Sequence, residues 1–152
     1  MILDFTDKKL LNLLQHDSKQ TTKQLSLQLN LSVTAVYERI KKLEKGNVIQ
    51  KYVAIVNKNK IEKSFLVFCH IKLIQHSKEY VTTFEREVLK LEEVSECFHV
   101  SGAYDYILKV YVKDMDEYRK FMVKKLTAIK YIGSTQSTFA IEEVKNTTLI
   151  ST

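Results

Sequence analysis

The chain has 152 residues, 45% of them hydrophobic and 28% charged, a globular composition that excludes a disordered polymer. No apolar run approaches the roughly 20 residues of a membrane-spanning helix, and the first residues lack the basic-then-apolar order of an export signal, so a cytoplasmic protein is expected. The net charge of +6 is unevenly placed: residues 1–60 hold eleven Lys/Arg and five Asp/Glu, and residues 61–152 hold thirteen of each. A basic part joined to a neutral part suggests nucleic-acid binding in the first and a different task in the second.

The first predicted helix opens at Asp4, Thr6 and Asp7, with Thr6 able to cap it and the acids suited to the positive end of its dipole. Leu10, Leu11 and Leu14 form its apolar face, and His16-Asp17-Ser18 marks its end. Thr21 and Gln24 fit a capping box and start a short second helix with Leu25, Leu27 and Leu29, ending near Asn30, which tolerates a left-handed turn. The third helix runs from an N-cap at Ser32 to Gly46, where a left-handed residue is expected to close it. Val33, Val36, Ile40 and Leu43 recur there at helical spacing. The opposite face carries Thr34, Ala35, Tyr37, Glu38, Lys41, Lys42 and Lys45. Two helices joined by a tight turn, the second with a polar outer face, make a helix-turn-helix, and the helix ahead of them supplies core. Residues 47–57 are rich in β-formers and read as one or two extended segments, a wing or a connecting strand. Lys58, Asn59 and Lys60 read as a linker.

The second half reads as a strand over 65–74, a helix over 77–91 and a strand over 94–100. A turn at Ser101-Gly102-Ala103-Tyr104-Asp105 follows. Next come a strand over 106–112, a helix over 114–129 and a final extended segment over 132–144. That order is the ferredoxin-like βαββαβ arrangement. Both helices would cover one face of a four-stranded antiparallel sheet. The other face, expected to be rich in Phe, Val, Ile and Tyr, calls for a cover, most simply the same sheet of a second copy in a two-fold dimer. The fold class is therefore α+β, with a winged helix-turn-helix in residues 1–60 and a ferredoxin-like domain in residues 61–152.

Several residues carry a family likeness. Leu31-Ser32, Val36, Arg39, Ile40, Leu43, Glu44, Gly46, Val48 and Ile49 resemble the helix-turn-helix of the Lrp/AsnC, or feast/famine, transcriptional regulators. Ser101-Gly102-Ala103-Tyr104-Asp105-Tyr106 with Leu108-Lys109-Val110 resembles the Gly-x-Tyr-Asp turn of that family's effector domain. Ile132-Gly133-Ser134-Thr135-Gln136-Ser137-Thr138 resembles its last strand. The resemblance spans nearly the whole chain. It implies sequence-specific binding to double-stranded DNA, a small amino-acid effector held near Gly102, Ala103, Tyr104 and Asp105 and near Ser134, Thr135 and Thr138, and dimers that assemble to octamers. Ala103, His99 and Tyr104 are the positions that would tune effector choice.

On the DNA side, Thr34, Ala35, Tyr37, Glu38 and Lys41 project where base edges are read. Thr21, Thr22, Ser32, Arg39, Lys42, Lys45 and Lys51 are candidates for phosphates. Arg39 has an alternative: a salt bridge to Glu44 or to an acidic residue of the first helix. Gly102 and Asp105 have one as well, since a tight turn needs such residues whether or not a ligand binds.

No catalytic residue, metal site or cofactor is expected. The histidines, His16, His70, His76 and His99, lack metal-ligand spacing. With three glycines, Gly46, Gly102 and Gly133, there is no phosphate loop. Cys69 and Cys97 lie far apart among apolar neighbours and read as reduced, buried thiols. The alternative is an enzyme like the sirohaem decarboxylases, which resemble this family and use a basic pocket and histidine in the second half. The zero net charge of residues 61–152 weighs against it. A pure assembly protein without DNA contacts is disfavoured by the caps and polar face of the third helix.

Overall fold

The computed structural model describes residues 2–152. It contains, in order, α1 (Phe5–His16), α2 (Thr22–Leu29), α3 (Val33–Lys45), β1 (Phe65–Leu73), α4 (Lys78–Val88), β2 (Val94–His99), β3 (Tyr106–Val112), α5 (Met115–Phe121), a π-helical turn (Met122–Leu126) and β4 (Ile132–Phe139). Two compact units result. One holds the chain up to Ile55 together with Val144–Thr152, and the other is Val56–Glu143. The tail therefore groups with the first unit, whereas the sequence reading ran the second domain through to 152.

In the first unit, Asp4 rather than Thr6 caps α1. Its carboxylate accepts from the Asp7 amide at 2.7 Å, and the Asp7 carboxylate accepts from the Asp4 amide at 3.3 Å. The capping box predicted at α2 is present, with Gln24 Oε1 accepting from the Thr21 amide at 2.7 Å. Asn30 takes the left-handed conformation, φ 52°. Ser32 caps α3 through a bond from the Ala35 amide at 3.1 Å. The end of α3 departs from expectation: Gly46 has φ −77°, and the left-handed residue is Asn47, φ 55°. The helix still ends at Lys45, but the reversal falls one residue later than expected, and Asn supplies the conformation in place of Gly.

Leu10, Leu11, Leu14, Leu25, Val36 and Leu43 form the buried core of this unit, with Leu29, Leu31, Ile40 and Ile49 packed against it. Val33, which helical spacing assigned to the apolar stripe of α3, and Leu27, expected to supply an apolar contact of α2, are exposed. Val33 lies at the margin of its stripe, and Leu27, two residues from both Leu25 and Leu29, is on the opposite side of its helix from them. The expected strands over 47–57 are absent. Those residues carry no ladder, because β-propensity needs a partner strand to become a sheet.

In the second unit the sheet order is β2-β3-β1-β4, all antiparallel, as the ferredoxin-like arrangement requires. Val67, Cys69, Ile71 and Leu73 of β1 and Tyr106, Leu108, Val110 and Val112 of β3 pack under Phe84 and Val88 of α4 and Tyr118 and Phe121 of α5. The predicted helix 114–129 is interrupted. After Phe121 the bonding widens, with the Thr127 amide donating to the Met122 carbonyl at 3.0 Å, a π-type turn. β4 ends at Phe139, not at 144, because its partner β1 runs out at Phe65–Leu66, where Ala140 makes the last backbone bond. At the other end Gly133 is an extra residue between the Lys72–Ser134 and Leu73–Ile132 pairs. A Cβ there would lie 3.2 Å from Ile74 backbone atoms, so the bulge needs glycine.

The register places Leu66, Phe68, His70, Lys72, Ile107, Lys109, Tyr111, Glu96, Phe98, Ser134, Gln136 and Thr138 on the face away from the helices. That face is more mixed than expected, and it contains no valine.

Candidate nucleic-acid interface and ligand turn

The outward side of α3 is built by elimination. Val36, Ile40 and Leu43 point into the core, which leaves Thr34, Tyr37, Glu38, Lys41 and Lys45 exposed, with Ala35 half-buried at the first turn. Lys41 Nζ lies 5.7 Å from the centre of the Tyr37 ring and 3.2 Å from Glu44 Oε2. That hydrogen bond raises the ammonium's pKa above its ordinary value. Glu44 also accepts from the Tyr52 hydroxyl at 3.1 Å. Glu38, Lys41, Lys42, Lys45 and Gly46 line a shallow surface concavity of about 430 Å³.

Arg39 does not join this surface. Its Nη1 lies 2.7 Å from Asp4 Oδ2 and 2.5 Å from Asp7 Oδ1, so of its two sequence readings the ion pair with the first helix is the one present. Lys42 also leans inward, 3.7 Å from Asp7 Oδ2, while its side chain stays half exposed. Thr21 and Ser32 use their hydroxyl oxygens as acceptors in the caps. Thr21 also donates to Gln24 at 3.0 Å, whereas the Ser32 hydroxyl proton has no acceptor among the described residues. Thr22 is half-buried at the start of α2, and Lys51 is exposed beyond α3.

The second candidate site lies in the turn between β2 and β3. Gly102, with φ +127°, has open space where a Cβ would be, so the conformation alone selects glycine. Ser101, Gly102 and Ala103 are exposed. Asp105 brackets the turn to β1: its amide donates to the Ile71 carbonyl at 2.9 Å, and its Oδ2 accepts from the Leu73 amide at 2.8 Å. Its other oxygen faces His76 Nδ1 at 3.5 Å. The Tyr104 hydroxyl donates to Gln136 Oε1, and its ring lies 5.1 Å from that of His70. His70 in turn is 3.4 Å from the Thr138 hydroxyl.

Tyr104, His70, Gln136 and Thr138 thus form one strip on the open face of the sheet, continued by Ser134. Thr135 is not part of it. It pairs with Ile71 and faces the helices, because side chains alternate along a strand. The same alternation, applied to 134–138, would have selected Gln136 and dropped Thr135. His99 also lies on the helix side, its ring stacked 4.5 Å from Tyr106 and 5.4 Å from His76. No group of three or more His, Cys, Asp or Glu among the described residues could hold a metal ion, and no helix among them is long and apolar enough to cross a membrane.

The profile of the Lrp/AsnC ligand binding domain matches residues 66–150, and a winged helix-turn-helix DNA-binding profile matches residues 3–50. The chain belongs to the Lrp/AsnC family of DNA-binding transcriptional regulators. It is 38% identical over 143 residues to the leucine-responsive regulatory protein of Escherichia coli, covering 94% of this chain and 87% of that protein. An AsnC family transcriptional regulator from Agrobacterium tumefaciens superposes with a TM-score of 0.93 at 34% identity, covering 97% and 96% of the two chains. A transcriptional regulator from Neisseria meningitidis, solved as a complex with L-Met, superposes with a TM-score of 0.92 at 29% identity, covering 97% and 95%. Membership gives the region that holds α1, α2 and α3 its role as the winged helix-turn-helix DNA-binding part of an Lrp/AsnC regulator.

Proposed function

We propose that this regulator reads DNA with Thr34, Tyr37, Glu38 and Lys41 of α3, is positioned on phosphates by Lys45, Ser32 and the helix starts at Thr21–Thr22, and responds to a small amino acid at the 101–105 turn. The observation that carries the DNA part is the partition of α3. Its core side is aliphatic, Arg39 is spent on helix α1, and the remaining polar side chains share one exposed side. Phosphates suit the free amides and positive dipole ends of α2 and α3. The amino-acid part is supported by the L-Met bound to the Neisseria relative. Here the exposed amides of Ser101–Ala103 suit a carboxylate, and Asp105 Oδ1 suits an ammonium. Tyr104, His70 and Gln136 offer a polar wall beside them.

The protein acts as a homodimer that assembles further, to an octamer in the resemblance from which this reading starts. Phe68, Phe98, Ile107 and Tyr111 on the open sheet face are the apolar surface for pairing. A dimer gives α3 two half-sites one helical turn apart. Effector binding then shifts the equilibrium between assemblies and with it the spacing of the two α3 helices. The reading is of a cytoplasmic binding protein rather than an enzyme.

Fluorescence anisotropy with DNA from upstream of the protein's own gene tests the first part. Lys41→Ala and Lys45→Ala should each weaken binding, and loss of a phosphate contact at Lys45 should reduce the salt slope by about 0.9. Unchanged affinity and slope in both would remove α3 from the interface. A thermal-shift screen of the amino acids tests the second part, with stabilisation by one of them expected and no shift by any counting against it.

A further inference from the structure

Asp7 is the one charged side chain among the described residues that is wholly buried in the first unit. A buried carboxylate is costly unless it is paired and bonded. Asp7 accepts one bond within its own helix, from the Asp4 amide at 3.3 Å, but both of its cationic partners lie on α3. Arg39 Nη1 sits at 2.5 Å on one oxygen, and Lys42 Nζ sits 3.7 Å from the other. Asp4, which shares Arg39 at 2.7 Å, is fixed to Asp7 by the reciprocal cap of α1. The start of α1 and the middle of α3 are thus one ionic cluster.

The rest of the contact holding α3 is aliphatic: Val36, Ile40 and Leu43 against leucines. Such packing fixes the distance of a helix from its neighbours well and its rotation about its own axis less well. A guanidinium is planar and directional, so bonds from Arg39 to two fixed carboxylates define that rotation. The rotation matters for readout. Side-chain tips lie about 5–6 Å from a helix axis, so a turn of about 20° moves each tip by about 2 Å, more than a hydrogen bond to a base edge tolerates.

We infer that Asp7 and Arg39 are positioning residues for DNA reading: the buried carboxylate, through Arg39, sets the angle at which Tyr37, Glu38 and Lys41 meet the groove. The inference rests on the reading that α3 enters DNA. It makes a prediction of unusual sign. Asp7→Asn raises the net positive charge by one, which by electrostatics alone should tighten DNA binding. Positioning requires that it loosen binding instead.

The test is a cycle of wild type, Asp7→Asn, Arg39→Gln and the double variant, titrated with the upstream DNA at several salt concentrations well below each melting temperature. Each single variant should bind about tenfold more weakly, the scale of one charge-assisted contact. The double variant should lose little more than either single one, and all four should keep the wild-type salt slope. An Arg39→Gln slope reduced by about 0.9, with Asp7→Asn binding as well as wild type or better, would make Arg39 a phosphate contact and overturn the inference. Lowered melting temperatures with unchanged affinities would reduce the cluster to a stabilising role and overturn it too. If Asp7→Asn does not fold, Asp4→Asn decides: a smaller loss of affinity at constant slope supports positioning, and equal or tighter binding overturns it. Wild-type protein that does not bind the DNA would fail the DNA reading itself, which is a separate outcome.

Discussion

The side-chain amide of Gln15 pairs with both backbone groups of Ile150: Nε2 donates to the carbonyl at 2.9 Å, and Oε1 accepts from the amide at 2.8 Å. Two residues on, the Thr152 hydroxyl donates to the Lys8 carbonyl at 3.3 Å and the Asn12 side chain at 3.1 Å. The tail therefore lies along α1 as an added extended piece of the DNA-binding unit. Gln15→Ala should release it, at a cost of about 1 kcal/mol for the paired bonds. Hydrogen exchange at the Ile150 amide should rise toward the rate of an unstructured chain while amides within α1 stay protected. An unchanged Ile150 rate would show that Gln15 does not hold the tail.

The Tyr118 hydroxyl joins Cys69 Sγ at 2.8 Å and Ser137 Oγ at 2.5 Å beneath the helices of the second unit. Tyr118→Phe should cost about 1 kcal/mol, because it removes the tyrosine hydroxyl from Cys69 and Ser137 in a part-buried site and leaves those two only each other. Denaturant unfolding followed in the near ultraviolet measures it. Cys69→Ala at the same spot removes only a weak donor, and beyond the small cavity it leaves it should disturb the hydrogen bonding less.

Much of this arrangement was legible in the sequence, for physical reasons that differ by element. The caps at Thr21 and Ser32 and the turn at Asn30 are local events, set by side chains within three residues of the backbone they serve. The βαββαβ order followed from apolar periodicity, and β3 was placed to the residue because Tyr106, Leu108, Val110 and Val112 alternate cleanly against a covered face. What was not legible depends on distant partners. The Arg39–Asp7 pair spans 32 residues, and charge alone did not separate it from a phosphate contact. Residues 47–57 have strand composition but no strand to pair with. The docking of the tail on α1 leaves no periodic trace. The 101–105 turn is marked in the sequence by its Gly-x-Tyr-Asp signature, whereas the place of Gln136 beside Ser134 and Thr138 on the open face depends on the two-residue period of β4 and its register with β1.

Burial pushes the thiol of Cys97 up to about 11, with the nearby Glu85 charge adding to the effect. At pH 8 only about one part in a thousand of it is thiolate, the form that reacts. Iodoacetamide should therefore label Cys97 far more slowly in the folded protein than in denaturant. Glu85→Gln should speed labelling modestly, since burial is the larger cause. Mass spectrometry of a labelling time course reads both, and folded-state labelling at the denatured rate would refute the part-buried setting of Cys97 in β2.

Gly102→Ala should destabilise the turn although nothing stands within 4 Å of the added methyl. The cost comes from the backbone at φ +127°, on the order of 1–3 kcal/mol for a side chain held where L-residues rarely go. If the turn holds the effector, the variant should also lose the thermal shift given by the amino acid that stabilises wild type. Gly133→Ala is the control: its Cβ would press on Ile74 backbone 3.2 Å away, so it should lower stability yet retain a ligand shift.

Asp4 supplies a pH dependence whose sign is fixed by its surroundings. The Asp7 amide first, and then Arg39, hold its carboxyl below the ordinary value of 3.8. A carboxyl with a folded-state pKa below its unfolded one adds stability above the unfolded value and loses it as pH falls through the folded one. Asp4→Asn keeps an N-cap acceptor while removing the charge. The wild type should therefore exceed the variant in stability at pH 6, and the difference should close as pH drops below about 3.8. The side chain is half exposed, so solvent and salt will keep the effect small, and added salt should shrink it further. Urea midpoints for the two proteins across pH 6 to 3 measure it. A gap that widens on acidification would mean that the Asp4 carboxyl is not held in its charged form by Arg39 and the α1 cap.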